Sequence, residues 1–112
     1  MSGIRLGRRL VLEEAQAVGD GAGGLAESWV TLGTLWAEVT PGAGREAAGE
    51  EVWEAEVPLR ITVRGAAPGD VRRPKPGQRF REGGRLFRIL AVSERDAGGR
   101  YLACSAREEV PA

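Results

Sequence analysis

The chain has 112 residues, 16 basic and 16 acidic, with no histidine, one cysteine (Cys104) and one lysine (Lys75). That length predicts one domain with a modest core, read over residues 1–112 with short flexible ends at 1–4 and 109–112. Zero net charge removes a bulk reason for nonspecific nucleic-acid binding. The missing histidine and second cysteine remove histidine catalysis, an intrachain disulfide and the usual Cys/His zinc sites, so no metal, cofactor or catalytic residue is expected and the chain is not read as an enzyme.

Chain order is punctuated by glycine and proline, and the pieces between them have strand length. The first strand is RRLVLEE, with Leu10 and Leu12 inward. The turn Gly19–Gly24 (GDGAGG) resembles a phosphate loop but lacks the Lys-Ser/Thr ending and a following helix, so it reads as a flexible turn. Next comes SWVTLGTLWAEV, in which Trp29 and Trp36 stand seven residues apart. Seven is a heptad distance, but the β-rich residues between them favour a strand. A regular pleat sends the two rings to opposite faces, whereas a bulge at Gly33 would bring them to the same side. Trp36 is expected in the core and Trp29 at the outer face or end.

GREAAGEEVWEAEV follows as one or two helical turns or a loop, with Gly49 interrupting the helix formers. VPLRITVR alternates cleanly, with Val57, Leu59, Ile61 and Val63 on one face and Pro58 at a sheet edge or bulge. A short strand around Gln78–Arg81 turns through Gly83-Gly84 into RLFRILAV. That strand is apolar on both faces (Phe87, Ile89, Ala91 against Leu86, Leu90, Val92) and so is expected to be covered on both sides. Gly98-Gly99 leads to RYLACSAR, with Leu102, Cys104 and Ala106 inward. The fold expected is mainly β: a small antiparallel β-barrel, closed or partly open, of about six strands, with long loops and at most a short helix. No apolar signal core or membrane-length run is found, which implies a chain made in a reducing cytoplasm with no membrane partner.

Charge is segregated. Arg72–Arg88 holds seven cations against Glu82, and Glu38–Glu56 holds six glutamates against Arg45. A solvated acidic face and a solvated basic loop are the plain readings. The sharper one is that the blocks meet across a subunit boundary, since opposite patches on one chain favour head-to-tail contacts that close into rings. On that reading Arg79, Arg81, Arg85 and Arg88 pair with glutamates such as Glu54 and Glu56 of the next copy, with Trp29 in the same interface. Arg72, Arg73 and Lys75 form a loop facing an adjacent ring. The competing class is a nucleic-acid-binding barrel of the OB type using RRPKPGQRFR. It needs exposed aromatics for stacking, and Trp29, Trp36 and Phe87 look like core.

The ordered set Trp29, Trp36-Ala37, Pro41, Gly44-Arg45-Glu46, Arg64, Gly84-Arg85, Phe87, Ile89 and Cys104, over roughly Arg5 to Glu108, resembles the phage head–tail joining (head closure or stopper) proteins of long-tailed phages and phage-like particles. The resemblance implies a barrel that forms a ring of six or twelve copies between the portal/adaptor ring and the tail terminator or tail tube protein. Such a ring closes the head, retains DNA and docks the tail. It sits in the virion neck, is assembled in the bacterial cytoplasm and lets double-stranded DNA pass without sequence-specific binding. It also implies a channel or gating loop, here Thr40, Pro41, Gly42, Ala43, Gly44, Arg45, Glu46, Gly49, Glu50 and Glu51.

Overall fold

The computed structural model describes residues 3–42 and 57–109. Six strands form one antiparallel sheet: β1 (Arg8–Gly19), β2 (Leu25–Pro41), β3 (Val57–Arg64), β4 (Arg79–Glu82), β5 (Arg85–Glu94) and β6 (Tyr101–Glu109). The sheet closes on itself in the order β1-β2-β3-β6-β5-β4. Closure leaves no continuous open edge around the body. No helix occurs among the described residues. The segment expected as helical turns or a loop lies mostly outside them.

The inward positions make the core. Leu10, Leu12, Ala37, Ile61, Val63, Phe80, Phe87, Ile89, Leu102, Cys104 and Ala106 are buried. The inward sets expected for the first and last strands are therefore all present. In β3, Ile61 and Val63 are buried and Leu59 packs against them, while the side chain of Val57 is not described. Pro58 lies one residue past the last β3 pair with β2, Pro41↔Leu59. There its missing N–H costs no bond in that ladder.

Two one-residue bulges set which faces the remaining side chains take. In β5 the register passes from Ile89↔Ala106 to Ala91↔Ser105, so Leu90 is the extra residue. The expectation that this strand is covered on both sides is corrected here. Leu90 is 43% exposed, and after the bulge Val92 rather than Ala91 packs on the core. The two-faced apolar pattern is one inward face that changes parity.

In β2 the register passes from Leu12↔Gly33 to Glu13↔Thr31, leaving Leu32 extra beside Gly33. Trp36 pairs with Arg9 and Trp29 with Ala15. Arg9 and Ala15 have the same parity in β1, opposite to the buried Leu10 and Leu12. The bulge thus puts both rings on one face, the outer one. Trp36, expected in the core, is 55% exposed, and Ala37 takes the inward position beside it.

The barrel is not the whole molecule. β1 pairs with β4 only over Val11–Glu13, and β2 pairs with β3 only from Ala37 onward. Ala15–Gly19 and Leu25–Trp29 therefore pair with each other alone and project as a two-stranded ribbon. The radius of gyration is 15.3 Å, against about 13 Å for a compact chain of this length.

Candidate functional site

Four charged residues stand at inward-parity positions where the strands end: Arg8 on β1, Glu82 on β4, Arg85 on β5 and Glu108 on β6. A mouth of the barrel is where an inward charge can still reach water. The Arg8 guanidinium donates to Glu82 at 3.1 and 2.5 Å, and Arg85 donates to Glu108 at 2.7 and 2.9 Å. Arg85 also lies 3.8 Å from Glu82, linking the two pairs. The hydrogen bonds from Arg8 hold the Glu82 carboxyl below the usual carboxylate range, and those from Arg85 do the same for Glu108. The four side chains form a salt-bridged cap over Phe87, whose ring centroid is 5.1 Å from the Arg85 guanidinium.

A second cluster lies on the outer face. Arg79 and Arg81 both donate to Glu13, at 2.7 and 2.8 Å, and Glu13 is itself buried. Burial pushes the Glu13 carboxyl up, but the two guanidinium hydrogen bonds outweigh it and leave the group below its ordinary value. Arg79 also sits 3.9 Å over the Trp29 ring, a cation–π contact. Arg88, directly opposite Arg79, reaches Glu109 at 3.8 Å.

The arginines expected to pair with the next subunit are thus each engaged by a carboxylate of their own chain. Except for Glu82 at the end of β4, three residues from Arg85, those carboxylates lie far off in sequence, on β1 and β6. Glu54 and Glu56 fall outside the described residues, as do Ala43, Gly44, Arg45, Glu46, Gly49, Glu50 and Glu51 of the expected channel loop. Thr40, Pro41 and Gly42 are described: the first two end β2, and the Gly42 N–H donates to the Pro58 carbonyl at 3.1 Å. A side chain at Gly42 would meet the backbone of Leu59 at 2.9 Å, so glycine suits the point where the chain leaves the barrel.

The basic loop is built rather than loose. The Asp70 carboxylate accepts from the Arg72 N–H, the Arg73 guanidinium donates to the Ala66 carbonyl, and Pro74 is buried. The Lys75 N–H donates to Gln78, whose own amide donates to Glu14. Phe80 within the arginine-rich stretch and Phe87 beyond it are fully buried, so neither offers a stacking face. At the ribbon tip, Asp20 accepts from the N–H groups of Ala22 and Gly24 at 2.8 and 2.9 Å. The loop's own carboxylate takes the donors that a phosphate would need. Cys104 is buried, which pushes its thiol up to about 12; it is a core residue. No cluster of three metal-ligating side chains occurs among the described residues.

The mouth cap and the exposed Trp36 surface were the features sequence reasoning missed. The one available signal for the cap was a charge at an inward-parity position next to a strand end, as at Arg8 and Glu108. Trp36 opens onto a groove of about 620 Å³ lined by Leu6, Thr34, Leu35, Arg64, Ala66 and Arg72, among others.

Residues 1–109 match the family described as phage head completion protein. The chain belongs to the phage head completion protein family. Among solved structures, it is similar over all of both chains to a chain of the virion of a native gene transfer agent (GTA) particle, at 58% identity and TM-score 0.77. It also shares its fold, at 24% identity, TM-score 0.69 and full coverage of both chains, with protein SF1141 from Shigella flexneri 2a, known from a solution structure. No curated relative matches it. The head completion protein is a structural component of a phage or phage-like virion, at the head–tail connector. No helix among its described residues is long and apolar enough to cross a membrane.

Proposed function

We propose that this head completion protein forms a ring of six or twelve copies between the portal/adaptor complex and the tail. The ring closes the filled head and presents a docking surface to the tail terminator or tail tube protein, without covalent chemistry. The observation that carries this reading is the full-length similarity, at 58% identity, to a chain of an assembled GTA virion. The physics agrees with the role. A closed barrel with a salt-bridged mouth is a rigid frame, and a paired ribbon reaching beyond it offers surface to a neighbour.

Within that ring, the segment from Thr40 to Val52 is placed toward the channel. It leaves the barrel at Gly42, and its carboxylates would repel phosphate and let DNA slide. An arginine-lined bore would bind the duplex and slow it. The loop bearing Arg72, Arg73 and Lys75 is placed toward an adjacent ring. Glu54 and Glu56 of a neighbour would meet arginines already satisfied within their own chain. Exposed pairs of that kind are worth only about 0–1 kcal/mol and set register more than affinity.

Deleting Gly42–Gly49 is expected to give particles that assemble a folded subunit but lose packaged DNA. Nuclease-protected DNA per particle measures this, and full retention would remove the gating role. Imaging of the particle neck tests the ring itself.

A further inference from the structure

Two exposed apolar surfaces lie at opposite ends of β2. One is the ribbon tip, where Leu25 is 76% exposed, with Val18, 46% exposed, on the ribbon's other face. The other is the Trp36 groove; Val71, which stands in sequence between its lining residues Asp70 and Arg72, is 57% exposed. Single exposed apolar residues need no explanation, but a groove holding an exposed tryptophan and a separate apolar knob on a stiff arm do.

Their charges are opposite. From Ala15 to Trp29 the only ionised side chains are Asp20 and Glu27. The groove presents Arg64 and Arg72, neither of which has an ion-pair partner among the described residues, and Arg9 stands opposite Trp36. Asp70 also lines the groove, with one oxygen committed to the Arg72 N–H. Tip and groove are separated by eleven residues of strand, about 36 Å at ~3.3 Å per residue. The tip therefore cannot fold back into the groove of its own chain. It is also preorganised: Asp20 ties down the Ala22 and Gly24 N–H groups, and Gly21 and Gly23 hold φ values of +82° and +87°. Little ordering is left to be lost on binding.

We propose that the Trp36 groove is the seat for the ribbon tip of a second copy of this chain, with Leu25 against Trp36 and with Glu27, on the same face of the ribbon, and Asp20 of the turn facing Arg64 and Arg72. The contact is heterologous, one surface of each copy against a different surface of the next, and such contacts propagate into rings. It rests on the ring reading above and supplies its side-to-side joint.

The test uses particles assembled with the full chain carrying Leu25→Cys and Val71→Cys. Native Cys104 is buried and stays out of the exchange. Mild oxidation is expected to give a ladder of covalent multimers of this chain on a non-reducing gel, while each single-cysteine variant gives nothing beyond a dimer. Necks that contain a ring of this chain but yield no ladder overturn the contact and leave the ring standing. Necks in which this chain forms no ring overturn both. A groove cysteine captured by another particle protein, or a groove that crosslinks to DNA, overturns the second copy as occupant.

An independent arm is Leu25→Arg, expected to lower incorporation into necks roughly tenfold, the loss of one buried anchor, with an unchanged melting temperature. Glu27→Arg and Arg72→Glu should each reduce incorporation singly and restore it when combined. Unchanged incorporation in all three variants overturns the proposal.

Discussion

The two halves of β2 show how differently one strand can be used. At Ala37 it is paired on both sides, from there to Pro41 it pairs with β3, and Ala37 is buried in the core with Val39 packed against it. From Leu25 to Trp29 it has one partner and faces solvent on both faces, with Trp29 alone sheltered by Arg79. One half is held by burial and the other by a ladder and a capped turn. Stability should therefore reside in the barrel, and recognition in the ribbon and the groove.

The sharpest way to break that comparison is Phe80→Ala. Phe80 is fully buried and pairs with Phe87 across β4 and β5. Truncation should cost about 3–5 kcal/mol in urea unfolding. A cost below about 1 kcal/mol would mean the barrel core is not what holds the fold.

Glu13→Gln comes next. It leaves Arg79 and Arg81 without their carboxylate, and about 2 kcal/mol is expected. The 3–5 kcal/mol typical of a fully buried pair is not reached because Arg81 extends to solvent. Charge reversal at Arg81 would set a second carboxylate beside Glu13 and should destabilise the monomer itself, not merely its assembly.

The same carboxylates predict acid sensitivity. Glu13, Glu82 and Glu108 titrate below their ordinary values when folded. Their stabilising contribution is therefore complete above the unfolded carboxyl value of about 4.3 and is lost as pH falls through the lower folded values. Midpoints of urea unfolding at pH 7 and pH 3 should differ in that direction, and Glu13→Gln should narrow the difference.

Trp29→Ala removes the ring under Arg79 and should cost about 0.5–1 kcal/mol. The smallest effect on stability belongs to the ribbon. Replacing Val18–Ala26 with an Asn-Gly turn, which joins the paired Ala17 and Glu27, should leave the unfolding midpoint within the error of measurement while abolishing incorporation into necks. A large loss of stability would show that the ribbon is part of the folding unit.

Much of the fold was legible because local alternation carries it. Leu10, Leu12, Ile61, Val63, Leu102, Cys104 and Ala106 are buried as their period-2 spacing implies. Alternation misassigned faces where a bulge changes parity: at Leu90, and at Leu32, where the bulge raised beside Gly33 is present but Trp36 faces out and not into the core. One inserted residue reverses every face assignment beyond it, and no side-chain pattern announces it beyond Gly33 in the first case. Reading failed also for charge. A block of arginines looked available because its carboxylates, Glu13 and Glu108, lie 66 and 23 residues from Arg79 and Arg85.

By itself the sequence determined strand count, the inward sets of the bulge-free strands and family membership, since these depend on alternation, turn residues and an ordered motif. The tertiary structure decided where Trp36 faces, which charges are spent inside the chain and which surfaces are left for a neighbour. Those outcomes depend on register and on which strands close the barrel, and both are set by contacts between residues distant in the chain.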